Sequence, residues 1–285
     1  MPSTYAHYRF GCQVIEKLPN GLKNIANNYR ELFDIGTHGP DILFYFEPYH
    51  KHPISDLGFN MHELPASDFF KKTRKLYAKR VDEKQAMIAY LLGFVSHYCL
   101  DTMAHPYVEA KEHYANISHT EIEVEYDRHL LIEDNQDPFK YDLVQHIKAN
   151  KFNANIIKTF FPEIDENIAL DCLKSMIFYI HLLQAPNNFK RNSLYSALKV
   201  LGKYDSLHDQ IISKNPNPIC LDSNMRLDKL TLKASELYLE LAPNLFAYLN
   251  GQSDLDPRFN NTFGAGDNWQ NIPVYDIDKE KEYEI

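Results

Sequence analysis

Apolar residues recur at the three- and four-residue spacing of an α-helix along most of the chain, and the alternation typical of β-strands is almost missing. The longest such segment, 82–104, begins at Asp82 with Glu83 in its first turn. Pro106 follows it and predicts the end of this helix. Because the segment is apolar on nearly every side, it must be buried. The sequence therefore predicts an all-α fold, a single-domain multi-helix bundle.

Proline, glycine and asparagine divide this pattern into separate elements. A glycine-rich turn opens a short helix over 36–46, where Pro40 suits the first turn. Residues 47–64, rich in proline, glycine and histidine, are predicted to form an ordered loop. Further helices are predicted over 5–18, 20–35, 65–79, 118–132, 140–149, 165–185, 191–202 and 226–250.

Polar residues suggest where two of these helices begin. Ser67 is one possible N-cap of the helix at 65–79. Ser118 followed by Glu121 has the spacing of a capping box. No linker divides the chain, so residues 1–250 are predicted to form one helical domain. Residues 251–285 are polar, acidic and irregular, and we expect a tail that wraps the domain or is partly disordered.

Composition narrows the classes of function. The 285 residues carry a formal net charge of −9, which disfavours a protein that coats nucleic acid. The four cysteines are scattered, without a C-x-x-C pair, so neither a thiolate zinc site nor a disulfide framework is indicated. The N-terminus does not read as a signal peptide, and no apolar run reaches the length of a bilayer span. We expect a cytoplasmic protein.

Histidines are concentrated in the first half of the chain, and two of them lie near the end of the long helix. Ten of the thirteen fall within residues 1–129. Ala89, Gly93, His97 and Asp101 form one row on that helix, because residues four apart share a face. The small residues would let another chain or a ligand approach. His97 and Asp101 could bind one cation, or they could form a buried hydrogen bond that only stabilises the helix.

Other polar residues extend this candidate site. His105 lies four residues after Asp101, and His119 and Glu123 form a second pair at four-residue spacing. Each of these groups alone is also compatible with a dipole contact or a solvated acidic face. The remaining candidates are Asp41 in the turn Gly-Pro-Asp, His62 in Met-His-Glu and His7 in the first helix, with His50 and His52, which are nearer to Asp41, as alternatives.

The order of these motifs resembles the zinc-dependent phospholipase C family, whose superfamily includes zinc-dependent single-strand nucleases. The similar parts are His7, GPDILFY with Asp41, MHE with His62, HYCLDTMAHPY with His97, Asp101 and His105, and HTEIE with His119 and Glu123. The resemblance covers roughly residues 5–130. It implies an all-α domain with a metal-lined cleft and two or three zinc ions.

The resemblance also implies a division of the ligands. Asp41, His62, His97 and Asp101 would hold one zinc ion; His105, His119 and Glu123 a second; His7 and a bridging Asp101 would contribute to a third. Secreted members complete the third site with a processed N-terminal tryptophan, whereas this chain begins Met-Pro-Ser. The step from Asp101 to His105 is also shorter than in the secreted phospholipases.

The function that follows from the resemblance is metal-assisted hydrolysis of a phosphoric ester by an activated water. Asp41 would orient or deprotonate that water. The substrate would be a small phosphoester or a phospholipid, and nucleic acid is disfavoured. A non-catalytic helical binding or scaffold protein with a structural metal site is the alternative. A His-Asp phosphohydrolase is disfavoured, since the one such dipeptide, His208-Asp209, has no matching histidines.

Overall fold

The computed structural model describes residues 4–285, which form thirteen α-helices and short 3-10 segments without a β-strand. The all-α prediction is confirmed. The α-helices are α1 (Thr4–Ile15), α2 (Asn20–Asn28), α3 (Arg30–Gly36), α4 (Pro53–Glu63), α5 (Ala66–Tyr77), α6 (Lys84–Ala115), α7 (His119–Glu133), α8 (Lys151–Phe160), α9 (Glu166–Leu183), α10 (Asn188–Val200), α11 (Tyr204–Leu207), α12 (Leu221–Leu249) and α13 (Ile277–Glu282). The 3-10 segments are Gly39–Tyr45, Val81–Glu83, His208–Gln210, Pro218–Cys220, Pro257–Asn260 and Trp269–Asn271.

Helix α6 runs through the centre of the fold. Every residue from Ala86 to Asp101 is buried, and α1, α2, α3 and α12 pack around the helix. Together with the preceding turn it is long and apolar enough to cross a membrane, but 89% of its most apolar window lies inside the protein. The burial identifies α6 as the core helix of the bundle, as its all-round apolar pattern predicts.

Two glycines let α3 approach α6 closely. A Cβ atom on Gly93 would lie 2.1 Å from the Phe33 carbonyl oxygen, and one on Gly36 would lie 2.2 Å from the Tyr90 carbonyl oxygen. The row of small residues predicted to admit another chain or a ligand is therefore occupied by α3 of the same chain. The 3-10 segment that follows α3 is thereby placed beside the polar end of the row.

The prediction that α6 ends before Pro106 was wrong. The helix continues to Ala115, and Asn116 ends it with a left-handed backbone (φ 52°). A proline inside a helix costs roughly 3 kcal/mol because it removes one hydrogen bond and crowds the preceding turn. The residues that follow are largely buried, and this burial outweighs that cost: Tyr107, Val108, Ala110 and Lys111.

Three other local predictions were also wrong. Residues 47–64 are not all loop, because α4 begins after His52, whose Nδ1 accepts a hydrogen bond from the Ile54 amide (3.1 Å). Residues 140–149 form turns, in which the Asp142 carboxylate accepts from the Val144 amide and competes with helix formation. The helix α8 that follows was not predicted. Tyr29, with φ −121°, divides the predicted helix 20–35 into α2 and α3.

The N-cap predictions had mixed outcomes. Ser118 does cap α7, since its hydroxyl accepts from the Glu121 amide (3.1 Å). The Glu121 side chain instead accepts a hydrogen bond from Asn217 (2.7 Å), so only half of the capping box forms. Pro65, rather than Ser67, is the N-cap residue of α5.

The last 35 residues wrap the helical bundle. Phe259 and Phe263 are buried in the common core, and Tyr98 donates a hydrogen bond to the Arg258 carbonyl. Further along, the buried carboxylate of Glu280 accepts two hydrogen bonds from Arg226 of α12 (2.8 and 2.6 Å). Of the two predicted alternatives, the wrapping tail is therefore the one observed. A domain boundary at residue 250 stays a prediction.

Candidate metal centre

The eight predicted ligands come together in one place, although they lie on five separate elements. His7 comes from α1, Asp41 from the 3-10 segment after α3, and His62 from the last turn of α4. The other five come from α6 and α7: His97, Asp101, His105, His119 and Glu123. Three groups of ligand atoms, each within 4.8 Å of one another, form among them.

The first group lies where α6 faces α4 and the 3-10 segment. His97 Nε2 is 2.9 Å from Asp101 Oδ2 and 3.8 Å from Asp41 Oδ1. His62 Nε2 is 3.1 Å from Asp41 Oδ1 and 3.6 Å from Asp101 Oδ2. Two imidazole nitrogens and two carboxylates thus point at one small volume, which is a donor set suited to zinc.

Asp101 faces a third histidine with its other oxygen. His7 Nε2 lies 3.1 Å from Asp101 Oδ1, and the His7 ring stacks on the His97 ring at 4.4 Å between centroids. The two oxygens of Asp101 therefore point to different sides. This arrangement suits a carboxylate shared by two cations.

The second group lies between α6 and α7. His119 Nε2 is 3.1 Å from Glu123 Oε1, and His105 Nε2 is 3.5 Å from the same oxygen. The short step from Asp101 to His105 along α6 therefore does not prevent His105 from joining this group. His105 Nδ1 lies 3.9 Å from Asp101 Oδ2, so the two groups are neighbours.

The carboxylates of the centre are held in their charged form. Burial by itself favours the neutral acid, but the charges of His97 and His105 outweigh it and hold the pKa of Asp101 well below its ordinary value. In the same way, His119 and His105 overcome burial and lower the pKa of Glu123 to about 2. Burial also lowers the pKa of His97, which favours the neutral imidazole that a metal ligand requires.

Three histidines respond in the opposite direction, and one of them is His7, whose pKa is raised because Asp101 outweighs the effect of burial. Burial opposes the charged form of His62, but the nearby carboxylates of Asp101 and Asp41 outweigh it and raise the pKa of His62 to about 11. For His105, burial is likewise overcome by Asp101 and Glu123, and its pKa rises to about 9. In the absence of a cation, protons therefore balance the negative charge of the three carboxylates.

Several polar atoms of the centre have no hydrogen-bond partner in the part of the chain that the structure describes, which shows that these residues fit a cation. His97 Nε2, Asp41 Oδ1, Asp101 Oδ2 and Glu123 Oε2 are buried, and none of them takes part in a hydrogen bond within the described residues. Buried polar atoms without partners are costly, and those of His97, Asp41 and Asp101 lie close together, which is typical of a site that holds a cation. The donors are nitrogen and carboxylate oxygen, which matches zinc.

Backbone carbonyls orient two of the imidazoles. His62 Nδ1 donates to the Gly58 carbonyl (2.9 Å), and His105 Nδ1 contacts the Phe263 carbonyl. Each contact directs Nε2 of the same ring toward the carboxylates, as is usual for metal-binding histidines. Gly39, with φ +50°, makes room for His97, because a Cβ atom there would lie 2.2 Å from the His97 ring.

Sequence reasoning missed two supporting elements. Asp127, four residues after Glu123, is buried and accepts hydrogen bonds from the Tyr5 and Ala6 amides (3.0 and 2.8 Å), which fixes the start of α1 next to His7. Its four-residue spacing from Glu123 was the signal that could have revealed it. The tail residue Phe263 had no signal, since its contact with His105 spans 158 positions.

The remaining histidine candidates lie outside the centre. His52 caps α4, and His50 pairs with Glu47 (3.2 Å). His208 contacts its own neighbour Asp209 (3.1 Å), and neither joins a group of three ligands within residues 4–285. Two further groups of potential ligands occur at intermediate or exposed positions: Glu109, Glu112 and His119, and His129, Glu133 and Asp228.

The residues of the centre lie in a region of the chain that matches a known protein family. The model of the family described as zinc dependent phospholipase C matches residues 6–170, which is more than half of the chain and includes all eight ligand candidates. Neither a curated protein nor a solved structure shows significant similarity to the chain. On this match and on the geometry of its centre, the chain belongs to the zinc-dependent phospholipase C family.

Proposed function

We propose that this protein is a zinc-dependent hydrolase of phosphodiesters, similar to phospholipase C, which holds two or three zinc ions. The observation that carries the proposal is the convergence of the eight potential ligands in two adjacent groups, in which His97, Asp41, Asp101 and Glu123 each keep a buried nitrogen or oxygen without a hydrogen-bond partner among the described residues. His62, His97, Asp41 and Asp101 would hold one ion, and His105, His119 and Glu123 a second. His7 and Asp101 would contribute to a third.

The completion of a third zinc site depends in part on the start of the chain. Residues 1–3, where we expected a departure from the secreted members, lie outside the described residues. His7 and the outer oxygen of Asp101 alone are two ligands, and zinc sites take four. The number of zinc ions is therefore left at two or three.

Zinc, when bound, lowers the pKa of a water from 15.7 toward about 7 and neutralises phosphate charge. Asp41 is the residue that we assign to the proton of the attacking water. The neighbouring imidazoles of His97 and His62 overcome the effect of burial and lower the pKa of Asp41, which keeps it ionised and able to accept a hydrogen bond. Its Oδ1 is one of the unpartnered atoms.

The substrate that we propose is a phospholipid or a small phosphoester. Next to His62, the rings of Phe44 and Phe59 stack at 4.2 Å, and Phe59 is 56% exposed. An exposed aromatic ring stacked on a buried one beside the metal centre suits an apolar group attached to a phosphate. The expectation of a cytoplasmic location stays a prediction.

The alternative is a scaffold protein with a structural metal site. The burial of the first ligand group is compatible with both functions. The second group favours catalysis, because its His119 side chain is 32% exposed. A structural zinc site is closed, whereas a catalytic site keeps a position open to substrate.

Metal content and hydrolysis together test the proposal. Protein purified without added metal should contain two or three zinc ions per chain by elemental analysis. Asp101→Asn should lose at least one of them, and Asp101→Ala combined with His119→Ala should lose most. The exposed Asp254→Asn serves as the matched control. Full zinc occupancy in the double variant contradicts the ligand assignment.

The second measurement is hydrolysis of bis-p-nitrophenyl phosphate. We expect turnover that a chelator abolishes and added zinc restores. Zinc bound at full stoichiometry without turnover of this ester or of phosphatidylcholine would favour the scaffold alternative.

A further inference from the structure

Helices α9 and α10 expose apolar side chains that nothing in the described chain covers. On α9, Lys174, Phe178 and Leu182 follow one another at four-residue spacing on the exposed side, and Phe178 is 59% exposed. Phe189, in the first turn of α10, is 84% exposed. The C-terminal end of α10 exposes Val200 and the adjoining Leu201 (88% and 70%). We call these six side chains, together with the exposed Lys199 and Lys203, the α9–α10 surface.

The corner between the two helices is rigid. The helices meet at an angle of 111°, and Lys190 Nζ donates to the His181 carbonyl at the end of α9 (2.9 Å). Arg191, buried under the corner, donates to the Ala185 and Ile212 carbonyls (3.1 and 3.2 Å). The last turn of α9 and the first turn of α10 are therefore held together, which fixes the position of Phe189 relative to the exposed end of α9.

The charge of this region is opposite to that of the rest of the molecule. Residues 174–214 contain six basic and two acidic residues, whereas the whole chain has a formal net charge of −9. The two acids are Asp205 and Asp209, and Asp209 accepts a hydrogen bond from Ser118 (2.6 Å). Exposed apolar residues surrounded by lysines are complementary to an anionic lipid surface and not to the acidic remainder of a second copy.

The inner side of α9 faces elements that carry the metal centre. Tyr179, Ile180 and Leu183 line a mostly apolar cavity of about 60 Å³, whose lining also includes Tyr45 and Asp127. Tyr45 ends the 3-10 segment that carries Asp41, and α9 packs against this segment. One helix thus connects the exposed surface to the element that positions the proposed catalytic carboxylate.

We infer that the α9–α10 surface docks the protein on membranes that contain anionic phospholipids, with Phe178, Leu182 and Phe189 inserted among the headgroups and the lysines facing lipid phosphates. All of this surface lies beyond residue 170, outside the part of the chain that matches the family. The inference rests on the proposed function in one respect, namely that a phospholipid of the docked membrane is the substrate. Membrane binding itself requires no zinc.

Sedimentation with vesicles tests the docking. The full chain should bind vesicles of phosphatidylserine and phosphatidylcholine in equal parts, and bind phosphatidylcholine vesicles at least about tenfold more weakly. Lys199→Glu with Lys203→Glu should weaken binding to the anionic vesicles by at least about tenfold. Lys75→Glu with Lys79→Glu, at exposed positions in and just after α5, is the matched charge control and should bind like the unaltered protein.

A second pair of variants tests the apolar component. Phe178→Ser with Phe189→Ser should lose vesicle binding, whereas Phe152→Ser, a half-exposed phenylalanine on α8, should retain it. Zinc-loaded forms of both α9–α10 variants should still hydrolyse bis-p-nitrophenyl phosphate, which separates loss of docking from loss of chemistry or of folding.

Three results would overturn the inference. The first is absence of binding to anionic vesicles, and the second is binding that neither α9–α10 variant weakens. The third is a dimer in light scattering that the Phe178→Ser, Phe189→Ser variant dissociates, because it would assign the surface to a second copy of the chain.

Discussion

Asp101 is the residue on which the metal centre depends. A buried carboxylate without partners would be costly, yet three imidazoles from three helices stand within 3.6 Å of its two oxygens. Its pKa lies well below the ordinary value, so it stays charged. This negative charge, fixed at the end of a row on α6, faces His97 with one oxygen and His7 with the other.

The raised pKa values of His62 and His105 predict how stability depends on pH without zinc. Both values, about 11 and about 9, lie above the 6.5 of an unfolded histidine. The folded state therefore binds more protons, so these groups stabilise it fully below pH 6.5 and lose that effect as pH rises through 9 to 11. In chelator, the urea midpoint should fall between pH 7 and pH 9.5.

Zinc and a variant separate this effect from other titrations. Saturating zinc replaces the protons, so the same pH change should lower the midpoint less. The His62→Asn variant in chelator should likewise show a smaller fall. An equal fall in all three samples would mean that other groups cause it.

At the scale of elements, the contact between α3 and α6 positions the centre. The two helices touch through Gly36 and Gly93, and α6 carries His97 and Asp101 while α3 leads to Asp41. Any change in their spacing moves one part of the first ligand group against another.

Gly93→Ala should therefore destabilise the protein, because its Cβ atom would meet the Phe33 carbonyl at 2.1 Å. We expect a loss of about 3 kcal/mol in the free energy of unfolding in urea, together with weaker zinc binding. Gly21→Ala on α2 is the control, since a Cβ atom there meets nothing within 4 Å. That change should be neutral or stabilise by about 0.5 kcal/mol. Equal stability of the two variants would contradict the close-contact argument.

The tail segment around Phe263 supports the centre from the other side. Its carbonyl orients His105, its ring packs on His62 and His97, and the Gly264 amide donates to the His62 carbonyl (2.9 Å). These contacts involve a part of the chain outside the region that matches the family.

Phe263→Ala should lower the free energy of unfolding by about 3–5 kcal/mol, since it leaves a cavity in the core. It should also weaken zinc binding by about tenfold or more, measured against a chelator of known affinity, because His105 and His62 lose their support. Phe189→Ala, which removes a side chain that is 84% exposed, should change stability by less than about 0.5 kcal/mol. Unaltered zinc affinity in Phe263→Ala would show that the tail does not support the metal centre.

At the scale of the whole molecule, a buried ion pair holds the C-terminal part of the tail against the bundle. Arg226 of α12 is 2% exposed and Glu280 is fully buried, and the Arg226 guanidinium lies over the rings of Tyr283 (4.3 Å) and Tyr107 (4.8 Å). Lys229 adds a further bond to the Glu280 carboxylate (2.9 Å). The end of the chain is thereby ordered against the central helices.

Glu280→Gln should release this part of the tail, because it leaves a buried guanidinium without its counter-charge. Removing one partner of a buried pair costs about 3–5 kcal/mol, so hydrogen exchange in α13 should rise by two orders of magnitude or more. The exposed Glu282→Gln is the control and should leave exchange unchanged. Unaltered exchange in Glu280→Gln would show that other contacts hold the tail.

Periodicity and spacing alone determined the helical class, the buried central helix and the two pairs of candidate ligands at four-residue spacing. Helical periodicity is a local property, and four-residue spacing places His97 with Asp101 and His119 with Glu123 whatever the rest of the fold does. The grouping of these pairs with Asp41, His62 and His7 came from a resemblance to a family, and the structure brings all of them to one place.

Only the tertiary structure decided where packing or side-chain contacts outweigh the local preferences of the sequence. Pro106 lies inside α6 because burial of the following turns outweighs one lost hydrogen bond, and 140–149 forms turns because Asp142 caps the backbone. The same holds for Phe263, whose contact with His105 joins residues 158 positions apart. Such contacts leave no periodic trace in a sequence, because they depend on how the whole chain packs.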